Sequence, residues 1–430
     1  MGKGHLGRSV SIIGVGVSPM GSVIESPEIK DCTEGELINA ACIEAYQDAG
    51  VSAKDIDAFY LGQLAPTLWS NMAGGAGHMA HWMGLKAKPG LSHDECCTTS
   101  NIGLQQAALA VASGMYDMVL TGAVNICSAK PTVAEPSFMY KPKDFNEMGG
   151  EVVMMVNDRS FANPGRGLLN PLEDYADMYA RKYGLSREQM SEVMNKVIIT
   201  ARRNGVNHPK ALLTNETYED EAVRFGFDDV NEYLDSDIFN PYMTTYMRLK
   251  HNAIFLDGGT AQIVCATDIA KKICKHPVEI SGFASISCWD SDFSTIPIAY
   301  DVDMIKRAYA MAGITDPYNE VEYISLHDCS AQNWMVYAED LGYLKPGEGW
   351  KDILNGRCAH DGDRPINTSG GRLAFGHPSA GANGVEIAEA IYQMRGECDL
   401  RQMPKPPKTA VIQSIGGSWH YSATVLKALF

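Results

Sequence analysis

Two adjacent cysteines, Cys96 and Cys97, stand at the start of a helix-length run, HDECCTTSNIGLQQAALAVASG, and supply the first candidate nucleophile of this 430-residue chain. A helix start offers free amides and the positive end of the macrodipole, which lowers a thiol pKa toward the reactive thiolate. Cys97 fits that role, with Cys96 just before it. The second group is SLHDCSAQN, where His327, Asp328 and Cys329 follow a predicted strand, at the kind of loop where α/β sheets carry functional groups. In the third, NTSGGRLAFGHPSAGANG, Gly370, Gly371, Gly376, Gly381 and Gly384 permit positive φ and close backbone approach around His377, and Pro378 suits a first helical turn. A histidine held there can deprotonate a thiol or polarise a carbonyl. The fourth, IQSIGGSWHYS, ends a strand at Gly416 and Gly417, whose amides can donate to an oxyanion. Plainer readings stand beside these: buried packing for the cysteines, a His–Asp pair bracing a loop, and a tight turn between the last two strands.

The elements that must position these residues alternate between short β-rich runs and helical patterns, which predicts a layered α/β fold. Residues 9–17 read as a first strand, and a helix starts near Thr33, with Glu36 at capping-box distance and Gly50 stopping it. The strand IDAFYLGQL, a helical run over 97–114, and the strands MVLTGAVNI, AIFLDGGTAQIVCAT and PVEISGFASIS follow. A second pass brings a helix at 303–312, the strand VEYISLHD, a helix at about 331–341, a helix after Pro378, and the strands TAVIQSIG and HYSATVLKAL. Element order therefore predicts two similar halves. Between them, residues 126–250 form an insertion rich in Met, Tyr and Asn, with helices expected around 172–183 and 187–204, placed to cover a substrate.

Composition excludes other classes. A net charge of −16, from 52 acidic and 36 basic residues, argues against a nucleic-acid partner. No run approaches the roughly 20 apolar residues of a membrane span, and the first ten residues lack an apolar signal segment, so a cytoplasmic protein without a membrane association is expected. Eleven cysteines without a CxxC pair suit reduced thiols and no metal site.

With these segments in hand, the sequence resembles the thiolase superfamily over nearly its whole length, and within it the sterol-carrier-protein-2 or lipid-transfer branch. CCTTSNIGL is similar to the family's nucleophile segment, Gly376-His377-Pro378 to its histidine motif, and His327-Asp328-Cys329 to the variant that this branch uses where ordinary thiolases have Asn-Glu-Ala. The resemblance implies two βαβαβαββ halves in an α-β-α-β-α core: residues 1–125 with 251–275, and 276–430, with 126–250 as the loop domain over coenzyme A. It implies catalytic Cys97, His377, His327 and Cys329, an oxyanion hole at Gly416, CoA as co-substrate and no permanently bound cofactor. Ser414-Ile415-Gly416 departs from the usual Cys-x-Gly, so the resemblance gives Cys329 the acid/base task. Trp419 and Tyr421 then stand near the pocket, pointing to a bulky or aromatic 3-oxoacyl-CoA, benzoylsuccinyl-CoA among the candidates. Partners expected on the same ground are a homodimer, with MVLTGAVNI pairing across the two-fold axis, and a small zinc-ribbon and OB-fold subunit. The alternatives within the superfamily are a retro-aldolase acting on a 3-hydroxyacyl-CoA and a non-catalytic scaffold.

Overall fold

The apolar run at the start of the chain forms strand β1 (Val10–Val17), buried along its whole length, as a strand covered on both faces must be. The computed structural model describes residues 6–66, 72–127, 169–212, 216–288, 295–417 and 419–430. The further strands are β2 (Ala58–Gly62), β3 (Gly90–His93), β4 (Met118–Asn125), β5 (Gly258–Ala266), β6 (Val278–Ser287), β7 (Tyr323–Ser325), β8 (Thr409–Gly416) and β9 (His420–Ala428). The longer helices are α1 (Glu34–Ala49), α2 (Thr99–Ala112), α3 (Leu169–Tyr183), α4 (Arg187–Gly205), α5 (Ala299–Ala312), α6 (Asn333–Asp340) and α7 (Ala382–Arg395). Helix α1 obeys its local signals: Thr33 caps it in a reciprocal box with Glu36, and Gly50 ends it in the left-handed region.

The sheet order β3-β2-β4-β5-β1-β6-β9-β8-β7 carries the duplication. Outward from its centre, β1-β5-β4-β2 has the same pairing senses as β6-β9-β8-β7: antiparallel, antiparallel, then parallel. Strand β3 is the extra edge of the first half. The register slips between Ile12 and Gly14 in β1 and between Ile280 and Gly282 in β6. At each slip a helix crosses so closely that a Cβ on Gly14 would lie 2.5 Å from the Ala45 carbonyl oxygen, and one on Gly282 2.3 Å from that of Ala308. Only glycine admits that approach. The two halves join through Ser11 and Ile12 of β1, paired with Glu279 and Val278 of β6.

Helix α1 packs on β1 and β5, and α5 on β6 and β9, while α2 touches strands of both halves and lies beside α7. The outcome is the expected layered arrangement, with α2 and α7 in the middle. Residues Thr99 to Gln105 of α2 are all buried, as packing between the two halves requires, and exposure begins only at Gln106 and Leu109.

Helices α3 and α4 belong to the insertion expected over 126–250, of which residues 128–168 and 213–215 lie outside the described residues. Tyr175, Tyr179, Met194 and Val197 share one core with Trp334 and Tyr337 of α6 and Val425 of β9, which ties these helices to the second half. The expected two-fold pairing of MVLTGAVNI is corrected: β4 is hydrogen-bonded by β2 on one side and β5 on the other, and has no edge to offer. The free edge there is β3, where Leu91 is exposed. Among the described residues no helix is long and apolar enough to cross a membrane, and all eleven cysteines are free.

Fully buried His251 follows the insertion, and its carbonyl accepts from the Ala331 amide of the second half at 2.9 Å. Its Nδ1 accepts from the Arg248 amide at 3.1 Å and its Nε2 lies 2.8 Å from Asn195 Oδ1, which defines a neutral ring protonated on Nε2. Burial, with the Arg248 charge beside it, pushes its pKa down to about 3. An unfolded histidine titrates near ~6.5, so below that pH the unfolded state takes up the extra proton and the folded state loses stability down to the folded value. We expect the unfolding free energy to fall by about 1.4 kcal/mol per pH unit on account of this residue between pH 6 and 4. Denaturant titrations should show a shallower slope for His251→Gln; equal slopes would contradict the assignment.

Candidate active site

Cys97 lies in a 3₁₀ turn, Cys96–Thr98, that leads into α2, and Cys96 opens that turn at φ 51° instead of ending a strand, since β3 has stopped at His93. The Cys97 Sγ is 3.2 Å from His377 Nε2. Burial raises the Cys97 pKa, and the Arg372 charge and the Gly417 amide offset only part of that. The expected thiolate-stabilising helix start is thus outweighed by exclusion of water. At rest Cys97 is a thiol beside a neutral imidazole, an arrangement in which His377 can accept its proton.

His377 is held by its backbone: its amide donates to the Ile254 carbonyl at 2.8 Å and its carbonyl accepts from the Leu256 amide at 3.2 Å. The Phe255 ring stacks on the imidazole, centroids 4.8 Å apart. Burial, then the Arg372 charge, holds the His377 pKa well below the ordinary histidine range, which keeps the ring available as a base. In the loop before it, Gly370, Gly371 and Gly376 adopt φ of 97°, 60° and 109°. Gly371 also sits where a Cβ would fall 2.0 Å from Asp328 Oδ2, so the loop can close on that carboxylate only with glycine there.

His327 stands across from His377, ring centroids 6.1 Å apart and nearly perpendicular. Burial, then Arg372 and His377, holds its pKa well down. Asp328 does not pair with the His327 ring; it accepts from the Arg372 amide at 2.7 Å and from Trp334 Nε1 at 3.1 Å, and so braces the glycine loop. Cys329 is fixed by its carbonyl, which accepts from the Ala253 amide, and its Sγ lies 3.8 Å from Asn333 Nδ2. Burial pushes the Cys329 pKa up, and a charge on Cys97 pushes it further, so Cys329 rests as a proton-bearing thiol.

Sequence reasoning passed over Arg372. Its only signal was a lone charge within the glycine-rich segment. The side chain is 1% exposed and pairs with Glu386 of α7, Nε to Oε1 at 2.9 Å, with Asn383 also donating to that carboxylate. Loss of one partner of such a buried pair typically costs about 3–5 kcal/mol, because the other charge is stranded.

A thiol, an imidazole in contact with it and two further polar groups are thus assembled from both halves of a duplicated α/β fold. The thiolase N-terminal domain family matches residues 10–216, and the thiolase C-terminal domain-like family matches residues 302–428. The chain belongs to the thiolase superfamily. It is an acyltransferase of thiolase type. It is 27% identical over 420 residues to an acetyl-CoA acetyltransferase of Methanothermobacter thermautotrophicus, covering 96% of this chain and 97% of that one. It is 25% identical over 246 residues to benzoylsuccinyl-CoA thiolase subunit BbsB of Thauera aromatica, 56% of this chain and 59% of that one. The Ltp2-ChsH2(DUF35) aldolase has a similar fold, with a TM-score of 0.74 over 98% of each chain at 21% identity.

Within this thiolase site the amide at the Cys97 sulfur is that of Gly417, while the Gly416 carbonyl closes the hairpin by accepting from the Trp419 amide at 2.8 Å. The alternation expected along β9 is present. His420 meets Glu95 at 2.7 Å and Ser422 accepts from Asn101 at 2.8 Å, both toward the nucleophile turn. Tyr421 points the other way, buried, its hydroxyl 3.1 Å from that of Tyr175 in α3. Trp419 packs against the same core, and its carbonyl accepts from the Cys288 amide at 3.1 Å.

His377→Asn should slow iodoacetamide alkylation of Cys97 at pH 7 by about 10² or more and move the reaction to alkaline pH, because burial then leaves the thiol without its base. Fragment-ion sequencing of the labelled peptide separates Cys97 from the adjacent Cys96. Unchanged alkylation at pH 7, or label on Cys96 in place of Cys97, would contradict the dyad.

Proposed function

We propose that this thiolase-family acyltransferase cleaves a bulky or aromatic 3-oxoacyl-CoA with free CoA, through an acyl-enzyme on Cys97. The observation that carries the reading is the 3.2 Å contact between Cys97 and His377, with His327 and Cys329 beside it. His377 takes the thiol proton, and the Cys97 sulfur adds to the 3-oxo carbon, whose oxyanion is met by the Cys97 amide and by the amide turned to this sulfur, that of Gly417 in place of the expected Gly416. Rupture of the Cα–Cβ bond leaves the acyl group on Cys97 and an enolate of the shorter acyl-CoA, its oxygen stabilised by His327 and His377. Cys329 gives its proton to the α-carbon. CoA then attacks the acyl-enzyme, its thiol proton replacing the one spent and Cys97 leaving as a thiol. The net reaction consumes one CoA and yields two CoA thioesters.

The partial likeness to BbsB supports an aromatic acyl group, with benzoylsuccinyl-CoA as the specific candidate. Trp419 belongs to this reading as a wall of the acyl site, while Tyr421, buried and turned toward Tyr175, is withdrawn from it. A homodimer, now through the free β3 edge, and a small zinc-ribbon and OB-fold partner complete it. The fold shared with an aldolase favours a second reading, retro-aldol cleavage of a 3-hydroxyacyl-CoA, but that chemistry leaves the Cys97–His377 contact without a task.

Chromatography of CoA thioesters after incubation with linear and aromatic 3-oxoacyl-CoAs plus CoA should show two thioester products and CoA consumed. Turnover confined to a 3-hydroxyacyl-CoA, with no CoA consumed, would replace the thiolytic reading by the aldol one. Cys329→Ala should lower carbon–carbon cleavage by on the order of 10² to 10⁴ while acyl transfer from a simple thioester to Cys97 stays within a few-fold; equal loss of both would make Cys329 structural.

A further inference from the structure

The thiolytic steps leave the buried charge beside His327 without a role. Arg372 sits where three segments of the second half meet: the strand-end loop of His327, strand β8 and helix α7. Nε and Nη2 reach the two Glu386 oxygens at 2.9 and 3.4 Å, and Nη2 donates to Ser414 Oγ at 2.9 Å. Nη1 lies 2.6 Å from His327 Nδ1 and 3.4 Å from its Nε2, so the guanidinium covers the Nδ1 end of the imidazole. A guanidinium stays protonated and offers donors only. A second cation on His327, itself buried, would therefore stand against a fixed one.

The tautomer follows from a different contact. The Ile415 amide donates to His327 Nδ1 at 3.3 Å, which makes Nδ1 the acceptor and leaves the ring hydrogen on Nε2. Of the other groups around the ring, Asp328 turns its carboxylate to the Arg372 amide and Trp334, and Glu386 is engaged by Arg372 and Asn383. Cys97 and Cys329 rest as thiols, and His377 is neutral until it takes the Cys97 proton. No anion in this set is turned to the His327 ring to hold an imidazolium.

We propose that Arg372 is a positioning residue that fixes His327 as a neutral, Nε2-protonated hydrogen-bond donor, so that the proton released by Cys97 goes to His377. The kinetic part of this inference rests on the thiolytic reading; the structural part does not. Ser414 is included in the same arrangement: it accepts from Arg372 and donates to the Cys97 carbonyl at 3.3 Å, linking the charge to the nucleophile turn.

The test uses the full chain with histidine labelled in ¹⁵N, the His327 signals being those that vanish in His327→Asn. The wild type should show His327 neutral and Nε2-protonated from pH 5 to 9. In Arg372→Met/Glu386→Gln, which removes both charges and strands neither, its titration midpoint should rise by about one pH unit or more into that window. An imidazolium or Nδ1-protonated form in the wild type above pH 6, or the same state in wild type and folded double variant throughout, would overturn the proposal. In kinetics the double variant should lose carbon–carbon cleavage by at least tenfold more than Cys97 acylation, and Arg372→Lys, which keeps the charge, should recover part of it. Losses of both activities in equal proportion, unrelieved by lysine, would make Arg372 a structural residue only. A wild type that never acylates Cys97 would remove the thiolytic reading while the ¹⁵N result still decides the role of Arg372.

Discussion

The 3.2 Å contact between Cys97 and His377 is the constraint on which the rest of the molecule depends, because the two residues come from opposite halves of a duplicated chain, 280 positions apart. They meet only if α2 and the loop before α7 are seated in register between the two halves of the sheet. Apolar packing alone sets such a register loosely; directional bonds set it tightly. The layer supplies them around the nucleophile. Thr98 pairs with Ser422, Asn101 donates to Ser422 and accepts from Thr424, Ser100 donates to the Ala380 carbonyl, and Ser414 donates to the Cys97 carbonyl. Each links the first half to the second within a turn or two of Cys97.

Dryness shapes the chemistry of that contact. Burial lifts both thiols and lowers both imidazoles, so the resting site holds neutral partners. Creating a thiolate there needs compensation, and the Gly417 amide and the Arg372 charge favour it, while the same charge disfavours an imidazolium on His377. Arg372 can be buried because Glu386 is buried with it.

Locally encoded features were legible from the sequence. The Thr33–Glu36 box and Gly50 delimit α1, the apolar runs mark β1, β4, β5, β6, β8 and β9, and the element order anticipated the duplication that the pairing senses and the twin Gly14 and Gly282 slips display. Features decided by tertiary contact were not. GLSH has no apolar run, so the edge strand β3 was passed over, and the apparent partner strand β4 proved interior. The helix-start argument for an ionised Cys97 failed in sign because burial, invisible in the spacing of residues, dominates. Arg372 was hidden for the same reason: a charge in a glycine-rich loop reads as exposed until Glu386, from the next helix, is seen beside it.

The central claim is that Cys97 carries the acyl group. Intact-mass spectrometry of the protein after brief incubation with a panel of aliphatic and aromatic acyl-CoA thioesters, followed by peptide mapping, tests it most directly. The account predicts a single added acyl mass on the peptide containing Cys97, removed by free CoA and absent in Cys97→Ser. An unmodified protein with every thioester, or an acyl group that persists in Cys97→Ser, would contradict it.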